Sequence, residues 1–304
     1  MTLTPRIIFL LVLPTILWAG NAIIGRLLVG IVSPMMLNTF RWALAALILL
    51  PWAYQILRPK SQLWSQLPRF LWLGLLGVGS YNALLYLSLE TSTPINVTLI
   101  GSSMPIWMLL VGSLFYKRHP QALELIGAVL SLLGVVIVLT RGELHHLLDI
   151  TFVSGDLWIL LATILWAFYS WMLSHPGQSN ERDWFWAQFL FAQMATGLLW
   201  SVAFTAIEWQ QGFTEVHFTT ASLWALLYIA LGPSLIAYRC WGMGVQAAGP
   251  AISAFFANLI PLFTAIFSTL LLGEWPQVFH AIAFSLIVAG IFLSSRLGTQ
   301  QSQR

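Results

Sequence analysis

The chain has 304 residues, of which 59% are hydrophobic and only 8% are charged. Because soluble domains carry about 25% charged residues, this composition excludes an ordinary soluble fold. The net charge of +3 is small, and the lack of a basic stripe argues against a nucleic-acid partner. The one cysteine, Cys240, excludes an internal disulfide and a cysteine-based metal cluster.

Ten apolar runs follow one another along the chain, separated by short polar or Pro/Gly-containing turns. A membrane-spanning helix needs about 20 apolar residues, and these runs are apolar on all sides, unlike the alternating strands of a membrane barrel. The first run is predicted to be a retained helix and not a signal peptide, because it lacks a small-residue cleavage site. The predicted transmembrane helices cover residues 7–29, 34–57, 68–89, 94–116, 121–140, 154–173, 184–207, 219–243, 248–272 and 276–295.

The second half of the chain repeats features of the first. The phrase TILWA begins at Thr15 and again at Thr163, 148 positions later (163 − 15). Four further pairs are each separated by 156 positions, as in 250 − 94: Pro94 and Pro250, Pro105 and Pro261, Pro120 and Pro276, Gly134 and Gly290. With five spans per half, the second half enters the membrane from the opposite side. The sequence therefore predicts two inverted repeats, as in many secondary transporters, at 1–145 and 150–298, followed by a polar tail at 299–304.

The distribution of positive charge predicts the orientation in the membrane. Cytoplasmic loops carry an excess of Lys and Arg, and with a cytoplasmic N-terminus the inner loops and tails hold nine of the thirteen Lys and Arg. These nine are Arg6, Arg58, Lys60, Arg69, Lys117, Arg118, Arg182, Arg296 and Arg304. We therefore expect both termini on the cytoplasmic side of the bacterial inner membrane.

Several motifs resemble those of one transporter family. In the second half these are the aromatic residues Tyr238 and Trp241, the small-residue run after Gly249, "NLIP" at 258–261 and "LLGEWP" at 271–276. The first half contributes "WAGN" at 18–21, "FRW" at 40–42 and the stretch 83–107. Across essentially its whole length the chain resembles the ten-helix EamA-type exporters of the drug/metabolite transporter superfamily. The resemblance implies export of amino acids, nucleosides, drugs or other metabolites by alternating access. It departs from the pattern in the second half, where "FRW" has no basic counterpart near Gln188.

Arg41 is the charge that most needs an explanation, because charged side chains at membrane depth are expensive. It lies about eight residues into the second span, roughly 12 Å deep at 1.5 Å per residue. It could contact a substrate carboxylate or act as a gate partner; equally, it could tie helix-end carbonyls together or snorkel to the interface. Glu90, Glu124, Asp156 and Glu274 all fall at predicted helix ends. This favours facilitative export over proton coupling through a buried carboxylate.

Polar and aromatic residues within the spans complete the predicted substrate site. Aromatic faces bind cations and flat apolar groups, so together with Arg41 they would suit a zwitterion such as an aromatic or branched amino acid. Interhelical hydrogen bonding by Asn and interfacial anchoring by Trp are the structural alternatives. The candidate substrate-binding residues are Trp18, Asn21, Arg41, Tyr81, Asn82, Asn96, Trp107, Trp166, Tyr169, Tyr238, Trp241 and Asn258. Three prolines inside spans, Pro105, Pro233 and Pro261, are predicted hinges or kinks.

Other functions remain open at this point. A multidrug, other metabolite or lipid-precursor translocator would share the fold. An integral membrane enzyme would need a His-rich metal set, an H-E-x-x-H pair or a G-x-S-x-G elbow, and the sequence contains none of these. We expect a non-enzymatic, monomeric transporter that meets a small-molecule substrate and the lipid bilayer, with no cofactor and no metal.

Overall fold

The computed structural model describes residues 3–140, 142–143, 153–175, 184–212, 216–272 and 277–295. These residues form helices and contain no β-strand. The α-helices are α1 Pro5–Leu27, α2 Pro34–Ala53, α3 Gln62–Ser65, α4 Leu67–Leu73, α5 Tyr81–Thr91, α6 Pro94–Gly101, α7 Met104–Tyr116, α8 Ala122–Leu139, α9 Ser154–Ser174, α10 Trp186–Gln210, α11 Thr220–Ile229, α12 Ala237–Ala248, α13 Pro250–Ala257, α14 Ile260–Leu272 and α15 Val278–Ser295. A 3₁₀ turn at Tyr54–Leu57 extends α2, and two π-helical segments, Gly74–Ser80 and Ala230–Ile236, join α4 to α5 and α11 to α12. Named residues outside the described ranges are Arg182, Glu274, Pro276, Arg296 and Arg304.

The helices have the length and surface of membrane spans. Within the described residues, seven helical stretches are long and apolar enough to cross a membrane: Pro5–Leu27, Pro34–Leu57, Leu67–Thr91, Ser154–Ser174, Trp186–Gln210, Thr220–Ala248 and Pro250–Leu271. Three shorter apolar stretches lie in α7, α8 and α15. Large apolar side chains such as Trp52, Leu114 and Leu270 face outward, as expected where lipid replaces water. The predicted all-α membrane fold is confirmed, while the count of ten spans stays a prediction.

Two spans are broken near their middle, next to the predicted kinks. The helix breaks at Ser102 and Ser103 in the fourth predicted span, and at the matching place after Ala257 in the ninth. Pro105 and Pro261 therefore lie in the first turn of α7 and α14, where a proline is tolerated because the N–H would have no helical partner. The third proline, Pro233, lies inside the second π segment.

The largest difference between a predicted and an observed helix end is in the eighth span. The eighth span was expected to end near 243, but α12 continues to Ala248. It ends there because Gly249 has φ of 85°, a left-handed conformation that terminates a helix and that favours glycine.

The bounds of several elements recur at a fixed spacing. Adding 156 to the bounds of α6, α7 and α8 gives the bounds of α13, α14 and α15, as in 94 + 156 = 250 and 139 + 156 = 295. The same addition carries the first π segment onto the second (74 + 156 = 230 and 80 + 156 = 236). The backbone thus changes its helical form at the same relative positions in both halves.

Residues at equivalent positions also meet one another. A Cβ on Gly134 would lie 2.8 Å from the carbonyl oxygen of Ala283, and one on Gly290 would lie 2.7 Å from that of Gly127. These contacts are reciprocal, because 134 + 156 = 290 and 127 + 156 = 283. Self-complementary contacts of this kind are what a two-fold axis produces, and here they set the close packing of α8 against α15.

Candidate substrate-binding site

Arg41 lies at the centre of a buried polar cluster. Its side chain projects from α2 and is 0% exposed. Its Nε donates to the Ser234 hydroxyl at 2.8 Å, and its Nη1 donates to the Asn82 Oδ1 at 2.7 Å. The same Nη1 also donates to the Tyr86 hydroxyl at 2.7 Å and reaches the Asn21 Oδ1 at 3.4 Å. Residues from α1, α2, α5 and the second π segment thus converge on one guanidinium.

No negative charge of the described residues balances this guanidinium. All four acceptors are neutral, and no carboxylate of the described residues lies within 4.0 Å of it. Its Nη2 is buried and has no hydrogen-bond partner. The rings of Trp42 and Tyr86, at 5.0 and 5.7 Å from the Arg41 Cζ, stabilise the cation only partly. A buried guanidinium with an unused N–H₂ group can donate charge-assisted hydrogen bonds to an anionic group.

Further hydrogen bonds hold these side chains in place. Tyr86 donates to Asn21 at 2.8 Å, and Asn82 donates through its Nδ2 to the Tyr238 hydroxyl at 2.8 Å. The Tyr238 hydroxyl in turn donates to the carbonyl oxygen of Gly77 in the first π segment. A π-helical turn shifts the normal backbone pairing and is frequent at functional sites. The first π segment therefore takes part in the cluster through its backbone.

Aromatic rings form a continuous layer beside the cluster, with Trp166 at its centre. The Trp166 ring lies 5.3 Å from Trp18, 4.6 Å from Tyr81, 4.8 Å from Tyr169 and 5.4 Å from Tyr238. Trp18 and Trp166 are the tryptophans of the two TILWA phrases, so the repeated phrase brings its own copies into contact. Like the Arg41 Nη2, the Trp166 Nε1 is buried without a partner.

A small cavity lies against both the polar cluster and the aromatic layer. Its polar and aromatic lining is Trp18, Asn21, Tyr81, Asn82 and Thr98. The remaining lining is mostly apolar, and the volume is about 30 Å³. A buried water needs roughly 10–15 Å³, so this cavity holds two or three waters at most. The helices around it would have to move apart to admit a metabolite.

Four of the twelve predicted site residues line this cavity, namely Trp18, Asn21, Tyr81 and Asn82. Arg41, Trp166 and Tyr238 do not line it but contact residues that do, and Tyr169 contacts Trp166.

Three further candidates lie apart from this arrangement. Asn96 is half-buried on α6 and does not line the cavity. Trp107 donates to the hydroxyl of Ser103, at the break before its own helix, at 3.0 Å. Asn258 lies at the break between α13 and α14, between two lining residues, and both polar atoms of its amide are buried without partners. The remaining aromatic candidate, Trp241, contacts Trp18 at 5.3 Å.

Sequence reasoning missed two side chains of the cluster and one backbone group. Tyr86 follows Asn82 by four positions, so it shares the same helix face, and this spacing could have revealed it. Ser234 and the Gly77 carbonyl join the cluster only because the π segments pass close to α2 and α12. No local pattern in the sequence indicates that approach.

Buried carboxylates serve another purpose. Glu208, at the end of α10, accepts hydrogen bonds from the Ser33 hydroxyl at 2.7 Å and from the backbone N–H of Met35 at 3.0 Å. It thereby caps the N-terminus of α2, where negative charge is favoured. Asp156 similarly accepts from its own helix start and from the Ser92 hydroxyl at 2.7 Å. These acids hold helix ends together and lie apart from Arg41.

The all-helical fold and its long apolar helices define a multi-pass membrane protein. The chain belongs to the EamA-like transporter family, whose sequence profile matches residues 5–140 and 153–296.

Individual proteins agree with this family membership. An uncharacterized transporter of Archaeoglobus fulgidus is 28% identical over 290 residues, covering 94% of this chain and 96% of its own. The uncharacterized transporter YyaM of Bacillus subtilis is 25% identical over 280 residues, covering 90% and 88%. A solved crystal structure matches with a TM-score of 0.72 at 17% identity, covering 97% of this chain and 98% of the other. The last comparison shows a shared fold.

Proposed function

We propose that this chain exports amino acids with aromatic or other hydrophobic side chains across the bacterial inner membrane. The observation that carries the proposal is the Arg41 guanidinium, which is buried and has no carboxylate of the described residues within 4.0 Å. Its Nη2 has no hydrogen-bond partner. A substrate carboxylate would neutralise this charge and accept charge-assisted hydrogen bonds, which are the strong ones. The adjacent Trp18, Tyr81 and Trp166 provide apolar aromatic surface for the side chain of the same substrate.

The proposed transport mechanism is alternating access by two inverted halves, 1–145 and 150–298. The equal spacing of the element bounds and the reciprocal contacts of Gly134 and Gly290 support this division. In such proteins the substrate site lies near the bilayer midplane, between the halves and next to interrupted helices. The breaks beside Pro105 and Pro261 and the π segment around Pro233 are the proposed points of bending. The cluster is complete within one chain, so a monomer suffices, with both termini proposed as cytoplasmic.

We further propose that the substrate gradient alone drives export. The buried carboxylates of Asp156 and Glu208 are engaged as helix caps, and a proton carrier would need a carboxylate or His near the substrate. Such a facilitator would release substrate at the same rate with and without a proton gradient.

Efflux from proteoliposomes tests the proposal. Purified protein would be reconstituted with labelled phenylalanine, leucine, glutamate, lysine or a nucleoside inside, with and without a proton gradient. We expect saturable release of the apolar amino acids, abolished in Arg41→Gln and retained in the matched variant Arg26→Gln. If no amino acid leaves the vesicles in either condition, the substrate assignment is wrong.

A further inference from the structure

A second cavity lies beside the aromatic layer, and it holds its own arginine. Its volume is about 30 Å³, like that of the first cavity. Its polar and aromatic lining comprises Tyr169, Trp186, Phe189, Gln193, Tyr238, Arg239 and Gln246. No residue lines both cavities. The second cavity is therefore a separate space with its own chemistry.

The two cavities lie on opposite sides of one hydrogen bond. Asn82 lines the first cavity and donates to the hydroxyl of Tyr238, which lines the second. Their positions are equivalent in the two halves, since 82 + 156 = 238. Trp166 completes the partition, because its ring contacts Tyr81 of the first lining at 4.6 Å and Tyr169 of the second at 4.8 Å. A molecule passing between the cavities must displace these groups.

Arg239 resembles Arg41 in its surroundings. Its guanidinium lies over the Trp186 ring at 5.1 Å, as Arg41 lies over Trp42 at 5.0 Å. Among the described residues, Arg239 has no carboxylate within ion-pair distance. An arginine that only snorkels would extend along the lipid-facing surface, whereas this one is half-buried and lines a cavity. An aromatic ring behind a guanidinium orients it and leaves its edge free for an anion.

A fully buried amide lies in the same cavity. Gln193 is 1% exposed, its Oε1 accepts from the Tyr169 hydroxyl at 2.9 Å, and its Nε2 reaches the Phe189 carbonyl at 3.3 Å. These bonds fix the amide at the cavity wall, where its second N–H can serve a ligand. The lining therefore offers a cation, a positioned amide and aromatic faces, the same three elements that surround the first cavity.

We propose that the second cavity is a distinct subsite for the carboxylate of the transported substrate, with Arg239 as its anion-binding residue. The inference rests on the proposed function, because it uses the same anionic substrate. The substrate carboxylate pairs with Arg239 on one side of the Tyr238–Asn82 bond and with Arg41 on the other. Transport then consists of a transfer between two arginines when that bond opens, and each arginine sets the affinity for substrate arriving from its own side.

The chain offers a matched pair of positions for reporter cysteines. Gly242 lines the second cavity, and a Cβ added there meets no atom within 4 Å. Gly101 lines the first cavity, and a Cβ added there meets only the Thr163 hydroxyl oxygen, at 4.0 Å. In a Cys240→Ser background, which removes the one native thiol, Gly242→Cys and Gly101→Cys would each report on one cavity.

The experiment measures the rate of maleimide labelling in reconstituted protein at increasing phenylalanine concentration. We expect phenylalanine to slow labelling of both reporters. Adding Arg239→Gln should weaken protection of the Gly242→Cys reporter at least about tenfold, since a hydrogen bond to a charged group contributes that much or more. Protection of the Gly101→Cys reporter should change less than about twofold, because Arg239 does not line the first cavity. Arg239→Lys should restore part of the protection, since it keeps the charge without the planar fork.

The outcomes separate the subsite from the proposed function. Protection of Gly101→Cys alone would refute the second subsite and leave the amino-acid proposal standing. Protection of neither reporter by any amino acid would refute both. If Arg41→Gln abolished protection at both positions, protection at Gly242→Cys would reflect closure around the first cavity, and the subsite would be wrong. The two reporters that keep the native Arg239 give this answer even if the Arg239→Gln variant fails to fold.

Discussion

Replacing Arg41 with Met separates a binding role from a structural one. The change removes the guanidinium and keeps an apolar stem of similar reach. Most of its acceptors keep a partner, because Tyr86 and Asn21 remain bonded to each other at 2.8 Å and Ser234 still donates to the Ile229 carbonyl at 2.9 Å. Of the four acceptors, the Asn82 Oδ1 is the one left without a hydrogen-bond partner.

The expected magnitudes differ between folding and binding. One orphaned buried acceptor costs about 1–3 kcal/mol, while removing a charge from membrane depth recovers roughly 2.5–3.5 kcal/mol on insertion scales. These effects offset each other, so the stability of Arg41→Met should lie between about 0.5 kcal/mol below and about 2.5 kcal/mol above that of the native chain by the same two ranges. Loss of a charge-assisted contact of about 1.5–3 kcal/mol to the substrate should raise its Kd by roughly 10- to 150-fold.

Two assays on the same preparation distinguish a binding role of Arg41 from a structural one. Thermal unfolding in detergent measures stability, and concentration-dependent efflux or direct binding of phenylalanine measures affinity. Arg26→Met is the matched control, because Arg26 donates to the Leu89 carbonyl near a helix end and is not among the residues that contact Arg41. A Tm lowered by more than about 10 °C with unchanged affinity would refute the binding role, since that shift corresponds to several kcal/mol, and would make Arg41 a structural tie between helices.

Three further predictions follow from single contacts. Gly290→Ala should lower the Tm in detergent, because its Cβ would lie 2.7 Å from the Gly127 carbonyl oxygen and overpacking costs about 1–3 kcal/mol, whereas a Cβ at Gly242 meets no atom within 4 Å, so Gly242→Ala should leave the Tm unchanged. Both Trp18→Phe and Trp166→Phe lose buried ring area, but only Trp18→Phe also loses a hydrogen bond, that to Pro233, so it should be less stable than Trp166→Phe by about 1 kcal/mol; the reverse ranking would contradict the assignment. Glu208→Ala should lower stability by about 0.5–2 kcal/mol through loss of the α2 cap, with efflux at saturating substrate equal to that of the native protein.

The apolar runs predicted most helix positions to within a few residues, because the thickness of the bilayer fixes their length. The spacing of 156 placed Pro105 and Pro261 correctly at matching irregularities. It could not predict that these would be helix breaks or that π segments would follow Gly74 and Ala230. Such backbone adjustments depend on the packing of neighbouring helices and leave no periodicity in the sequence.

The site was less predictable than the helices for a related reason. Depth along a span identified Arg41, since a charge there is rare whatever its neighbours. Its partner Ser234 is 193 positions away, and choosing among the many polar residues of the spans requires the rotation of each helix about its axis. The near-uniform apolarity of these helices gives no preferred face in the sequence. The sequence therefore gives no means of distinguishing Asn82 from Asn96, although Asn82 lines the cavity and Asn96 does not.

The two halves match in backbone and differ in hydrogen bonding, and this difference bears on how they could exchange roles. The carbonyls of Gly77 and Pro233 are equivalent, since 77 + 156 = 233. The Trp18 Nε1 donates to the Pro233 carbonyl at 3.1 Å. Its counterpart, the Trp166 Nε1, has no partner, because the Gly77 carbonyl accepts from the Tyr238 hydroxyl. If inverted halves swap conformations during transport, the Gly77 carbonyl passes from Tyr238 to Trp166. That step would also release Tyr238 from its place between the two cavities, so that opening the partition and exchanging the halves become one event.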